Sequence, residues 1–431
     1  MATKKNAAII GSGWAGFTLA HALSLAKYNV FVISPTRTIQ YTPLLASAAA
    51  GMFNFRLAEE PVRRRNLTHG LAYYKASVES IDFDRKRLHC KPSVQNIADQ
   101  HLHDEHDFTL DYDKLVLAPG CDIETFGTPG ALEHSFFLRT TEDAHKIQQR
   151  ILEMVDAATI PGISDAHQRD ILRIIVVGGG AIGMEATAEL YDLWHDELRH
   201  VYPHLDGKLS IEVHDVADSL LGTFDQKLGE YATQKLSGRG VKIETRSHIE
   251  KVEPGAIWTK ERGEIKYGLL IWATGNGVSS LVNKLDVKKS GRLQRISTDG
   301  HLRVLSRHEQ LLEDVYAIGD AADIEGYSLP TLAEVAVQKA QYLANNLNTE
   351  ASDPRAATEA FKYKQKPNLA YLGQHDGVIG GEQEWMTGHS AWLAWRSGSI
   401  YHWPRSWRRT LMMGISWLFN SVGGRDIARK W

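Results

Sequence analysis

The chain has 431 residues, 43% hydrophobic and 23% charged, which makes it globular and long enough for roughly two or three domains; wholesale disorder and a collagen-like fibre are excluded. Its 49 basic and 52 acidic side chains leave a formal charge of −3, without the basic excess of a protein that lives on nucleic-acid phosphate. Two cysteines, Cys90 and Cys121, exclude a disulfide-stapled scaffold and a four-cysteine zinc site, and no metal is expected.

Ala7-Ala-Ile-Ile10 predicts a short buried strand leading into Gly11-Ser-Gly-Trp-Ala-Gly16, a helix over 17–26 and a second strand over 29–33. Strand, GxGxxG, helix, strand is the context in which the glycine pattern signals a dinucleotide cradle. Gly11 would allow the tight turn, Gly13 would let a diphosphate approach the backbone, and Gly16 would let helix pack on sheet. The diphosphate would sit on the helix N-terminus. Ser34 stands where an acid usually ends the second strand, so a serine hydroxyl or a backbone group must take its place. The strand 114–117 then closes on Ala118-Pro-Gly120.

The pattern repeats. Ile174-Ile-Val-Val177 precedes Gly178-Gly-Gly-Ala-Ile-Gly183, a helix through Glu185, Ala188 and Leu190, and a strand over 209–213 that ends near Asp215. The polar segment 192–208 reads as a helix extension and loop. Asp215 would accept the ribose hydroxyls and repel a 2′-phosphate, favouring NADH; an ordinary solvated turn acid is the alternative. The strand 269–272 closes on Ala273-Thr-Gly275, and a last strand over 314–318 delivers Gly319-Asp320. Asp320 would bond a ribityl hydroxyl or cap the helix before Ala321.

These residues, with Tyr41-Thr-Pro-Leu-Leu-Ala-Ser47, Glu60-Pro-Val-Arg63, Phe126-Gly-Thr-Pro-Gly130, Ala273-Thr-Gly-Asn-Gly277 and Gly424-Arg-Asp-Ile-Ala428, resemble the two-dinucleotide-fold flavoprotein reductases. Within them the chain is similar to the type II (alternative, non-proton-pumping) NADH dehydrogenases, which pass electrons from NADH through FAD to a quinone. The resemblance implies an α/β fold of two nested Rossmann-like domains. FAD would take 1–160 and 295–350, NADH 161–294, and a region 351–431 would serve membrane association or dimerisation. For FAD it implies Gly11, Gly13, Trp14, Gly16, Ser34, Thr42, Pro43, Leu44, Ala118, Gly120, Gly319, Asp320 and Ala333. For NADH it implies Gly178, Gly180, Ile182, Gly183, Glu185, Asp215, Thr274 and Gly275.

Glu185 would lie near the nicotinamide and flavin and deliver a proton to quinone; the plain alternative is an acid favoured by the helix dipole. The family's Ala-Gln-x-Ala-x-Gln pattern becomes Ala333-Glu334-Val-Ala-Val-Gln338 here. Gln338 is kept, and Glu334 replaces a glutamine, so a different quinone or a small soluble acceptor is consistent with it. Two other readings stay open: a soluble FAD/NAD(P)H-dependent oxidoreductase of a biosynthetic pathway, and an apoptosis-inducing-factor-like NADH-sensing flavoprotein. The cysteines are too far apart for thiol-disulfide chemistry, and Cys90 reads as part of a solvent-facing segment.

Residues 385–431 hold Trp385, Trp392, Trp395, Trp403, Trp407, Trp417 and Trp431 among Arg396, Arg405, Arg408, Arg409, Arg425, Arg429 and Lys430. Pro404 suits a first helical turn. Trp407, Leu411, Ile415, Leu418 and Phe419 share helical spacing over a stretch too short to span a bilayer, so residues 404–431 read as an amphipathic helix in the headgroup plane. A hydrophobic dimer interface or core cap is the alternative. The resemblance implies a peripheral protein of the mitochondrial inner membrane and a homodimer. Residues 1–6 are too short for a presequence, so either a presequence has been removed or a cytoplasmic-side membrane or the cytosol is the alternative.

Overall fold

The computed structural model describes residues 4–63, 70–94, 107–222, 226–291, 293–380, 385–401, 407–425 and 427. The elements that position the site are, in chain order, β1 (Lys5–Ile10), α1 (Trp14–Ala22), β2 (Tyr28–Ser34), β3 (Lys114–Leu117), β4 (Arg173–Val177), α2 (Ala181–Leu193), β5 (Ser210–His214), β6 (Leu269–Trp272), β7 (Leu311–Ala317), α3 (Ala333–Glu350), β8 (Asn368–Gly373), α4 (His389–Tyr401) and α5 (Trp407–Gly423). They fall into two compact units. The first is Met1–Ile39, Glu60–Ile123 and Asn276–Lys364; the second is Gln40–Glu59, Glu124–Gly275 and Gln365–Trp431.

The first unit is built on a ten-stranded sheet in which β7, β3, β1, β2 and Leu71–Asp82 run parallel. Ala7 to Ile10 and Leu115 to Leu117 are buried, as parallel strands covered on both faces must be. From β1 the chain crosses to β2 on one side while β3 lies on the other, so a crevice opens at the carboxyl end of β1, where such sheets bind ligands. Helix α1 starts at Trp14 and stops at Ala22, shorter than the sequence suggested. The Ser24 carbonyl accepts from the Lys27 and Tyr28 N–H groups in a turn that feeds β2 directly.

The second unit repeats the plan with a four-stranded parallel sheet, Lys242–Glu244, β5, β4 and β6, plus an antiparallel sheet over Ile249–Lys266. The segment after α2 is a π-helical turn, Trp194–Leu198, followed by short turns, which matches the expected extension and loop. A three-stranded antiparallel sheet begins with β8 and precedes α4 and α5. Residues 124–160 belong to this unit, ahead of the expected boundary at 161. The amphipathic helix Thr141–Ala158 buries Ile147, Ile151 and Met154, and Arg150 donates to the Gly268 carbonyl at 2.8 Å, which holds it to the β6 region. Residues 276–294 lie in the first unit instead.

Cys90 is a correction. It sits on the strand Arg87–Pro92, buried among Leu88, Leu115 and Val78 rather than facing solvent, and burial pushes its thiol up to about 11.

Candidate functional site

In the first unit Gly11 has φ +102, and a Cβ there would lie 2.1 Å from the Ala118 carbonyl oxygen; a Cβ at Gly16 would lie 2.1 Å from the Gly11 oxygen. Only glycine permits both the left-handed turn and the close packing of α1 on β1. Around Gly13, by contrast, a Cβ would meet nothing within 4 Å. Helix α1 starts there with no side-chain cap and no acid in its first turn, so its N–H groups and dipole remain open to an anion. At the end of β2, Ser34 is buried: its Oγ lies 2.9 Å from Ser12 Oγ, which donates to the Thr36 carbonyl at 2.8 Å. The hydroxyl that replaces the usual acid is therefore part of a closed Ser12–Ser34–Thr36 network.

Across the same crevice, Gly120 and Gly319 both have positive φ, and Gly319 packs against Ala15. Asp320 lies inside the one-turn 3-10 helix Gly319–Ala321, whose N-cap is Ile318, so the capping alternative for Asp320 is not what the chain builds. Cys121 Sγ approaches Asp320 Oδ2 at 3.5 Å. Thr42, Pro43 and Leu44 open a short 3-10 helix in the second unit, with Leu44 wholly buried.

The second cradle reproduces the first almost link for link. The Gly178 N–H donates to the His214 carbonyl at 2.8 Å as Gly11 does to Ile33, and a Cβ at Gly183 would lie 2.0 Å from the Gly178 oxygen. Gly180 caps α2 without a side-chain partner and faces open space, and Ile182 is exposed in the first turn. Asp215 follows β5; its Oδ2 accepts from the Gly179 N–H at 2.5 Å and its Oδ1 from the Ala217 N–H at 2.8 Å. The acid is thus clamped at the mouth of the glycine turn. Thr274 instead donates to the Glu124 carbonyl at 3.1 Å, and Gly275 packs under Phe126.

Glu185 lies in the second turn of α2, past the reach of the dipole argument, and is 5% exposed. Its Oε1 accepts from Trp395 Nε1 at 3.1 Å and the Tyr371 N–H at 3.4 Å. Burial outweighs these bonds and pushes its carboxyl up to about 8, so it holds a proton at neutral pH. Tyr371 and Trp395, which stack at 5.2 Å, come from β8 and α4 and carry no sequence signal for this role.

On α3 of the first unit, Gln338 Nε2 donates to Glu334 Oε1 at 2.7 Å and to the Lys364 carbonyl at 2.9 Å, while its Oε1 accepts from the Lys364 N–H at 3.0 Å. The amide is occupied as a clip, and Glu334 acts as an acceptor in the first helical turn beside Ala333. Sequence reasoning passed over the next residue: Lys339 is buried, donates to the Ala322 carbonyl at 3.2 Å, and is lowered to about 8 by burial.

The pyridine nucleotide-disulphide oxidoreductase family model matches residues 5–340. An Arabidopsis thaliana internal alternative NAD(P)H-ubiquinone oxidoreductase A1 is 33% identical, over 99% of this chain and 86% of its own length. The chain belongs to the alternative (type II) NAD(P)H dehydrogenases. A Solanum tuberosum external alternative NAD(P)H-ubiquinone oxidoreductase B1 is 27% identical over 99% of this chain and 90% of its own length. The fold matches that of Plasmodium falciparum NDH2, solved in complex with NADH, with a TM-score of 0.90 at 22% identity, covering 99% of this chain and 100% of that one.

As an alternative NAD(P)H dehydrogenase the chain is a flavin- and nicotinamide-dependent oxidoreductase, and both cradles fit those groups: each pairs a helix whose first turn has no side-chain cap with a glycine facing open space. The chain's two cysteines, Cys90 and Cys121, form no disulfide with each other.

This dehydrogenase's tryptophan-rich end departs from the sequence picture. Trp392 and Trp395 are core residues, and Trp417 turns inward onto Trp392 at 6.1 Å. Arg409 donates to the Arg56 and Glu59 carbonyls, Arg396 is buried over Trp395, and Arg425 donates to the Ala50 carbonyl, so these cations serve the body. Apart from Arg408, the large side chains that α5 exposes are apolar: Trp407, Leu411, Met412, Ile415, Leu418, Phe419 and Val422, the last 85% exposed. Arg405, Arg429, Lys430, Trp403, Pro404 and Trp431 lie outside the described residues, and among those described no helix is long and apolar enough to cross a membrane.

Proposed function

We propose that the chain oxidises NADH and passes the electrons through FAD to a membrane quinone without moving protons across the membrane. The observation that carries this is the pair of successive uncapped dinucleotide cradles in a chain whose relatives are NAD(P)H-ubiquinone oxidoreductases along nearly its whole length. Bound in the two cradles, FAD and NADH would supply the two-electron redox chemistry of the reaction. The chain's part is to bind, orient and exclude water. Gly11, Gly13 and Gly16 would hold the FAD diphosphate on α1, with Trp14, Ala118, Gly120, Gly319 and Asp320 around the same crevice. Gly178, Gly180 and Gly183 would do so for NADH on α2, and Asp215 would select the unphosphorylated ribose. Protonated Glu185 is the acid held ready for quinone reduction.

The outward face of α5 is the membrane contact. Large apolar side chains on one ridge, with exposed Arg408 beside Trp407, suit an interface where indoles sit at headgroup level and quinone is dissolved. A peripheral place on a quinone-bearing membrane, the mitochondrial inner membrane or the cytoplasmic face of a cell membrane, follows from this. A homodimer sharing that region is the second use of the same face.

Steady-state NADH oxidation by the purified flavoprotein, with and without a short-chain ubiquinone, is the test. A rate that rises severalfold with quinone supports the reading. Equal rates with and without it would leave a flavin reductase or a nucleotide-sensing flavoprotein, separated by whether oxygen or a soluble acceptor turns over at all.

A further inference from the structure

The lip of the second cradle carries a cation as well as an acid. β5 and its parallel neighbour Lys242–Glu244 end side by side, and the turns that follow them are stitched together. The Asp215 N–H donates to the Glu244 carbonyl at 3.0 Å, the Ser247 N–H to the Asp215 carbonyl at 2.9 Å and the Arg246 N–H to the Ala217 carbonyl at 3.1 Å. Arg246 thus leaves the backbone beside the segment that bears Asp215. It does so at φ +53, a left-handed conformation that a long side chain adopts only at some cost in strain. Its guanidinium Nε donates to Asp218 Oδ1, three residues beyond Asp215, and both side chains are 75% exposed. Asp215 itself is held by backbone, through the Gly179 and Ala217 N–H groups. In a dinucleotide cradle an acid here accepts the ribose hydroxyls of NADH, and an arginine nearby accommodates the 2′-phosphate of NADPH. This chain has both, and its arginine is engaged by a carboxylate of its own.

We propose that Arg246 is a ligand for the 2′-phosphate of NADPH, and that Asp218 is the internal stand-in that holds its guanidinium until the phosphate arrives. The inference deepens the NADH:quinone reading and rests on its assignment of the second cradle to the nicotinamide dinucleotide. An ion pair this exposed is weak, about fivefold or less in an equilibrium constant. A phosphate monoester carries about two negative charges and three acceptor oxygens, so it displaces a single carboxylate from the planar guanidinium fork. The three side chains then divide the choice of dinucleotide. Asp215 sets the preference for the unphosphorylated ribose. Arg246 keeps the phosphorylated one from being shut out, and Asp218 sets how much of the arginine is on offer. Asp218 acts through Arg246 and is a positioning residue.

The test measures binding, not turnover. The FAD-loaded protein is titrated calorimetrically with NAD⁺ and with NADP⁺, which differ only in the 2′-phosphate, and the ratio of the two dissociation constants is the readout. Where NADP⁺ binds wild type too weakly to measure, the same series is run on Asp215→Asn. Asp218→Asn should shift the ratio towards NADP⁺ by about twofold to fivefold. Arg246→Gln should shift it the other way on the order of 10-fold, and Arg246→Lys, which keeps the charge without the fork, by less. In the Arg246→Gln background, Asp218→Asn should lose its effect. A gain that persists there would mean that Asp218 repels the phosphate directly, and would overturn the latch. An equal gain for NAD⁺ and NADP⁺ would overturn it too, because the 2′-phosphate is then not what is read. Ratios unchanged in both single variants would leave an ordinary surface pair that ties two turns together, while NAD⁺ binding by wild type keeps the assignment of the cradle. A folded, FAD-loaded wild type that binds neither nucleotide would sink that assignment, and the latch with it.

Discussion

Glu185 is the residue whose surroundings decide most. Its carboxyl keeps its proton to about pH 8 in the folded chain but releases it near the ordinary 4.5 when unfolded, so folding takes up a proton between those values and stability falls as pH rises across them. Glu185→Gln removes that loss while keeping an oxygen for Trp395 and Tyr371. Melting curves at pH 5 and pH 8 should show the variant gaining a few kcal/mol on wild type at the higher pH, with slower quinone-dependent turnover at both; equal gains at both pH values would mean the carboxyl is ionised in the folded state. Asp215→Asn should narrow the NADH to NADPH ratio of kcat/KM by about 10-fold or more, because the retained amide oxygen still accepts from Gly179 while the charge that repels a 2′-phosphate is gone. An unchanged ratio would assign the discrimination elsewhere. Glu185 could be picked out from its place after the glycine motif. Its burial could not, because Tyr371 and Trp395 lie 186 and 210 residues further along the chain.

Local patterns were legible at the scale of elements wherever one segment determines its own geometry. The glycine turns after β1 and β4 follow from steric demands that only glycine meets, and both appear where the motifs placed them. The apolar ridge of α5 was also readable from spacing. Which indole points outward was not, since Trp417 is drawn in by Trp392, itself on a different helix. The two tryptophans should therefore separate. Trp407→Ala together with Phe419→Ala should weaken sedimentation with anionic liposomes and leave the melting temperature unchanged. Trp417→Ala should keep liposome binding but cost about 1–3 kcal/mol of stability through the cavity it opens. If the outer pair lowers stability and liposomes are ignored, the ridge is covered by another copy of the chain.

For the whole molecule, the purified protein should be yellow with about one FAD per chain; a folded, colourless preparation that cannot be reconstituted would end the flavoprotein assignment. The domain plan read along the sequence had the first unit in two parts, 1–160 and 295–350, and kept 161–294 as one insert. The compact units instead draw on distant segments, because the helix Thr141–Ala158 finds its apolar partner near β6 and the tail finds its own near α2. Cutting away residues 404–431 is for that reason a poor probe of membrane binding. It would strip Arg425 from buried Glu189 and Asn420 from the Met52 carbonyl, 2.6 Å away, and so should lower the melting temperature as well as any lipid affinity.

That same tail has a consequence for how the chain is made. The second unit needs residues 365–431 to complete it, yet its strands β4 to β6 leave the ribosome well before them. At roughly 5–20 residues per second, β4 to β6 wait on the order of ten seconds for the segment that carries Trp395 and Arg425. Throughout that interval the carboxyls of α2 lack their indole and guanidinium partners and the neighbouring apolar surface stands uncovered. The nascent second unit is then exposed to chaperones until that segment has emerged and closed over it.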